Sequence, residues 1–155
     1  MFVDELKVGD EFKSPSKTIT DAHYLFFSGL TGDNHPSHYD GEYCRRTRYG
    51  KPVAHGLLVA SMGALGASEI SHRYHGLIFV EQGCRFLKPV FVGDTVYPRH
   101  IVEKIWKEGE REFIRFRAII GNQRGEIVME GFHVYLIDRR FEEPKEDRWA
   151  NQTMK

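Results

Sequence analysis

Cysteine is scarce in this sequence, with only Cys44 and Cys84 in a chain of 155 residues. Two thiols without a Cys-x-x-Cys pair make neither a disulfide framework nor a zinc cluster, so reduced thiols are the expectation. Net charge is missing too. Lys plus Arg and Asp plus Glu balance at 22 each, which removes the field that draws a protein to nucleic acid or to an acidic membrane. The longest stretch without Asp, Glu, Lys or Arg runs from Pro52 to Ser68 and is interrupted by Gly, Ser and His. It is too short and too mixed for a membrane span. The N-terminal "MFVDELKVGDEF" is acidic and lacks the basic-then-apolar order of a secretion signal. These absences predict a cytoplasmic protein without a nucleic-acid or membrane partner. There is also no G-x-S-x-G elbow, no H-E-x-x-H and no G-x-G-x-x-G loop.

What is present is the composition of a globular domain. Hydrophobic residues make up 41% and charged residues 28%, enough for one real core at this length. No repeat or linker divides the chain. Residues 1–155 are read as a single domain, with the polar 139–155 segment as a peripheral tail on which Trp149 can dock.

The pattern along the chain predicts its elements. "VGDEFKSPSKTIT" reads as a short strand with a turn at Ser14–Pro15. Thr20 or Asp21 can cap a helix over "AHYLFFSGL", which places Tyr24, Phe27 and Leu30 on one face and stops at Gly32. A polar segment follows, with one helical turn near Glu42–Arg46. "VAHGLLVASMGALGASEISH" is apolar all round, so it predicts a buried helix, and its small residues predict close packing. The period then switches to two. In "LIFVEQGCRFLKPV" the alternation puts Ile78, Val80, Cys84 and Phe86 on one face. "EFIRFRAII" and "EIVMEGFHVYLID" alternate in the same way, and "DTVYPRHIVEKIWKE" is a strand with Pro98 marking an edge or a bulge. Turns fall at 92–94, 107–111 and 122–125. One buried helix followed by an antiparallel meander predicts an α+β fold in which a sheet wraps a helix.

Titratable groups crowd into "TGDNHPSHYD", residues 31–40. Asp33 and His38 flank Pro36, which fixes the chain between them, so carboxylate and imidazole can converge on one water and move its protons. Spacing alone favours the plainer reading, in which Asp33 caps a turn and His38 lies at the surface. Gly56 opens the buried helix after His55, where free N–H groups could receive a carbonyl oxygen. It also suits an ordinary helix start. His35 and His55 are the further candidates nearby. His72, His75, His100 and His133 fall on strands or turns and read as structural or surface histidines. Cys44 has basic neighbours in Arg45 and Arg46 but no partner for thiol chemistry.

Three stretches, "SGLTGDNHPSHYD", "AHGLLVAS" and "FLKPVFVGDTV", occur in order. Together they resemble the MaoC-like dehydratase, or (R)-specific enoyl-CoA hydratase (hydratase 2), family over roughly residues 5–137. The resemblance implies a hotdog fold with a long central helix wrapped by a curved antiparallel sheet. It implies (R)-specific hydration of a trans-2-enoyl-CoA, or the reverse dehydration of a 3-hydroxyacyl-CoA, with no metal and no cofactor. Asp33 and His38 would be the catalytic dyad, and Gly56 N–H would hold the thioester oxygen. Asn34, His35 and His55 would lie against substrate. The family asparagine before the proline is His35 here. The implied partners are a CoA or acyl-carrier-protein thioester and a second copy, as a homodimer or an assembly of dimers. CoA phosphates would meet some of Arg45, Arg46, Arg48, Lys51, Arg85 and Lys88. A hotdog thioesterase and a non-catalytic thioester-binding subunit are the alternatives. The first would need a carboxylate in the central helix, where only Glu69 stands, towards its far end. The second would need a broken dyad.

Overall fold

Among the described residues the chain forms six strands: β1 (Glu11–Lys13), β2 (Lys17–Thr18), β3 (Leu77–Phe86), β4 (Thr95–Glu108), β5 (Arg111–Asn122) and β6 (Ile127–Ile137). The computed structural model describes residues 5–140, so the expectation for residues 141–155, Trp149 included, lies outside the described residues. All pairs are antiparallel, in the order β1-β4-β5-β6-β3, with β2 following β1 along β4. The predicted meander is β4, β5 and β6, joined by turns in which Gly109 (φ 59°) and Gly125 (φ 75°) take the left-handed conformation.

Helices cross the inner face. α1 (Asp21–Thr31) starts at Thr20, whose N–H donates to Nδ1 of His23 at 3.0 Å. It stops at Gly32, where φ is 75° and the N–H bonds back to Ser28. Tyr24 is buried as expected, whereas Leu30 on the same predicted face is 85% exposed. α2 (Gly41–Arg45) is the expected turn, capped by Asp40 through Tyr43 N–H at 2.9 Å.

The single long central helix is corrected. It is three short pieces: α3 (Gly56–Ser61), a 3-10 turn (Leu65–Ala67) and α4 (Ile70–Arg73). Gly63 sits at the first break with its backbone against the sheet; a Cβ there would lie 3.4 Å from Ile120 and 3.2 Å from the Ala60 carbonyl. Glycines weaken a helix by about 1 kcal/mol each. Ser68 and Ser71 return hydrogen bonds to Leu65 and Ser68 carbonyls (2.6 and 2.9 Å), local partners that compete with the helix. Total burial is corrected as well, since Leu57 is exposed.

Two strand readings also change. A bulge between Phe79 and Glu81 flips the parity of β3, so Phe79, Gln82, Cys84 and Phe86 face inward, opposite Tyr135, His133, Gly131 and Met129. Ile78 and Val80 therefore do not share the face of Cys84. Pro98 lies inside the sheet and not at its edge. Its carbonyl accepts from Ser14 N–H at 3.0 Å, in the gap between β1 and β2. N–H and C=O of one strand residue point the same way, so the missing donor faces a place where no ladder bond is needed.

The core divides into two apolar clusters. One gathers Val102, Phe116, Tyr135 and Ile137 with Leu65 and Ile70. The other gathers Val96, Ile120 and Met129 with Leu58, Val59 and Tyr24.

Candidate active site

The Asp33–His38 turn is built locally. Thr31 Oγ1 accepts from Asp33 N–H (3.2 Å), and His35 Nδ1 accepts from Ser37 N–H (3.3 Å), capping the 3-10 turn Pro36–His38. His35 thus fills a capping role that an asparagine side chain also suits. Its ring is exposed and packs edge-on to Tyr43. Buried Cys44 supports the turn from below, its Sγ 3.3 Å from the Ser37 carbonyl and 3.6 Å from that of Pro36.

His38 is half-buried and its Nδ1 donates to the Val53 carbonyl at 2.7 Å. That bond fixes the ring and leaves Nε2 facing away. His55 is buried and stacks on His38, with ring centroids 3.7 Å apart and planes 22° from parallel. Its Nε2 donates to the Asp33 carbonyl at 3.1 Å, where Ser28 Oγ also donates at 3.0 Å. Burial pushes the His55 ring below the ordinary imidazole value, against the smaller opposing effect of that hydrogen bond. Asp33, His38 and His55 each bring one side-chain ligand atom to within 4.8 Å of the others. Such a trio could in principle hold a metal ion. His38 Nδ1 and His55 Nε2 are committed to carbonyls, which leaves His38 Nε2 and the buried His55 Nδ1 as the uncommitted ring nitrogens.

The dyad candidates therefore converge. His55, expected against substrate, lies beneath His38 instead. Asn34 is exposed and lines a cleft of about 300 Å³ with His38, Tyr24 and Leu25. Gly56 lines a different cleft of about 230 Å³, with Phe86, Val59, Arg48 and Lys88. A Cβ on Gly56 would lie 3.0 Å from the Phe86 ring. Of the six basic candidates, Arg48 and Lys88 flank this cleft; Arg45 and Arg85 pair with Glu42 and Glu130. Asp94, unremarked in the sequence beyond its motif, clamps the turn before β4. Burial pushes its carboxyl up, but bonds from Arg124 and Gln123 (both 2.7 Å) and Phe91 N–H (3.0 Å) hold it below the usual carboxylate range.

Strand order and inner helices together define a hotdog fold, and the relatives that the chain matches make it an enzyme of the hydro-lyase class. The chain belongs to the MaoC-like domain family, whose sequence profile matches residues 5–118. It is 29% identical over 140 residues to the (R)-specific enoyl-CoA hydratase of Rhodospirillum rubrum, covering 90% of this chain and 93% of that one. Among solved structures it is similar to the (R)-hydratase from Aeromonas caviae involved in PHA biosynthesis, with a TM-score of 0.74 and 29% identity over 85% of this chain and 97% of that one. It also superposes on Rv0216 of Mycobacterium tuberculosis, a double hotdog fold, with a TM-score of 0.73 at 20% identity, covering 93% of this chain and 46% of that one. Among the described residues, no helix is long and apolar enough to cross a membrane.

Proposed function

We propose that this chain hydrates a trans-2-enoyl-CoA to the (R)-3-hydroxyacyl-CoA, or runs the reverse dehydration, through Asp33 and His38. The observation that carries the reading is the convergence of an exposed carboxylate and an oriented imidazole, within 4.8 Å, on a turn fixed by its own hydrogen bonds. Asp33 accepts a proton from water as its oxygen adds to C3. His38, entering the step as the imidazolium, delivers its Nε2 proton to C2 and is left as the neutral ring whose Nδ1–H stays on Val53. One proton then passes from Asp33 to His38, and the site is restored. Charge arising on the thioester oxygen is met by the N–H of Gly56, one of the donors at a helix start that lack an intrahelical acceptor.

Glu69, the carboxylate a thioesterase would need, is exposed at the start of α4, beyond both helix breaks. Incubation with crotonyl-CoA is the test. Loss of enoyl absorbance without release of free thiol is expected; thiol release would replace hydration with hydrolysis, and neither signal would remove the assignment for this substrate.

We also infer a homodimer. Among the described residues β3 pairs only with β6, which leaves its other edge open there, and Ile78, Phe79, Val80 and Phe86 on it are all at least 44% exposed. A second copy would cover this edge and its apolar side chains. Sedimentation showing an active monomer at micromolar concentration would overturn the inference.

A further inference from the structure

Between the two apolar clusters lies a polar layer. His100 on β4 and His133 on β6 point inward from either side of β5, with ring centroids 5.3 Å apart. They are 0% and 6% exposed. Both ring nitrogens of His100 and Nδ1 of His133 lack a hydrogen-bond partner among the described residues. The Gly63 carbonyl, at the break of the central helix, is near the His100 ring but forms no hydrogen bond of ordinary geometry with it. Leaving such groups buried and unpaired is unfavourable, so a fold that keeps two of them side by side needs a reason. Burial pushes both rings below the ordinary imidazole value, His100 to about 4, which favours the neutral form of each.

The layer is connected to the site. Phe86 lines the Gly56 cleft, and the inward residues of β3 then run Cys84, Gln82, Phe79. Gln82, opposite His133, is exposed, and Phe79 packs on the His133 ring with centroids 5.3 Å apart. Phe86 and Gln82 are four residue steps apart along the strand, a distance of ~13 Å at strand rise. An acyl chain whose thioester sits at Gly56 and whose tail runs this far along the face would meet the Phe79 ring that packs on His133.

We propose that His100 and His133 form a subsite for a neutral hydrogen-bonding group, a hydroxyl, at the distal end of a medium-length acyl chain. A neutral imidazole offers one N–H and one lone pair, which matches a hydroxyl that must both accept and donate. A charged group would have to be desolvated between two apolar clusters, which disfavours it. The inference rests on the hydratase reading for its substrate, and the test separates the two.

The first measurement compares kcat/KM for trans-2-decenoyl-CoA and its ω-hydroxy analogue, in the natural enzyme and in His100→Leu and His133→Leu. The expected ratio favours the hydroxylated substrate by about tenfold, the worth of one hydrogen bond to a buried group, and falls to one or below in each variant. Equal rates on both substrates, unchanged by either substitution, would overturn the subsite while leaving the hydratase reading standing. The second measurement is calorimetric binding of the saturated decanoyl-CoA and ω-hydroxydecanoyl-CoA to the Asp33→Asn protein, which requires no turnover. Tighter binding of the hydroxylated ligand, lost on adding His133→Leu, supports the subsite even if no enoyl thioester is hydrated. Equal binding of the two, or binding of neither, overturns it. A buried water bridging the two rings, with no discrimination between ligands, counts against it in both experiments.

Discussion

In the Asp33–His38 region each histidine ring has a committed nitrogen: His38 Nδ1 on Val53, His55 Nε2 on Asp33 and His35 Nδ1 on Ser37. Across the molecule, His100 has neither nitrogen committed, and His133 Nδ1 is likewise unpaired among the described residues. The first group is held by hydrogen bonds to backbone groups and leaves His38 Nε2 uncommitted. The second is held mainly by packing, with both His100 nitrogens unpaired, although His55 of the first group shares with His133 a buried, unpaired Nδ1. Orientation by hydrogen bonds suits groups that must move a proton in one direction. Desolvated, unpaired rings suit recognition, because any partner that satisfies them recovers the cost of their burial.

Breaking the turn should have the largest effect. Asp33→Asn and His38→Gln should each lower hydration by about 10² to 10⁴, and the double variant should be little worse than either single one, because the two groups act on one water. Steady-state kinetics on crotonyl-CoA checks this, with circular dichroism to confirm that folding survives. Near-natural rates in Asp33→Asn would mean that this turn is only a solvated loop.

The sheet pair can be probed by acid. His100 has a folded value of about 4 against an ordinary 6.5. The unfolded chain therefore binds the proton more readily between those values. The corresponding stability is fully present above pH ~6.5 and is lost as pH falls towards 4, by up to about 3 kcal/mol. Urea midpoints should fall across that window, and the fall should be shallower in His100→Leu. An equal slope in both proteins would assign the acid response to other groups.

Gly56→Ala sharpens the comparison at the point where the two regions meet. The added methyl would press on the Phe86 ring and crowd the N–H proposed to meet the thioester oxygen. A loss of about 10² in kcat is expected. Phe86 is half-exposed and can swing away, so adding Phe86→Leu should relieve the ring contact without restoring the rate. Full recovery would place the effect in ring packing.

The smallest effect is expected from His35→Asn. Asparagine can accept the same Ser37 N–H, so activity should stay within about tenfold, or ~1.4 kcal/mol. A far larger loss, measured on the same substrate, would make His35 a participant in the chemistry.

Local chemistry made much of this protein legible in its sequence. The Thr20 start and Gly32 stop of α1, the Asp40-capped turn and the glycine turns at 109 and 125 depend on residues close in sequence, and so does the crowding of Asp33, His35 and His38 around Pro36. Alternation exposed the meander, and three ordered motifs exposed the family and with it the hotdog fold. Tertiary contacts decided the rest. The central helix breaks where Gly63 meets Ile120 on β5, and the bulge at Val80 reverses which side of β3 faces inward. His55 goes under His38 because a hydrogen bond spans 22 positions to Asp33. His100 and His133, unexceptional on two separate strands, become a pair only because β5 lies between β4 and β6. Sequence pattern records the period of a strand, but the register that sets which residues face each other across three strands is fixed only when the sheet closes over its core.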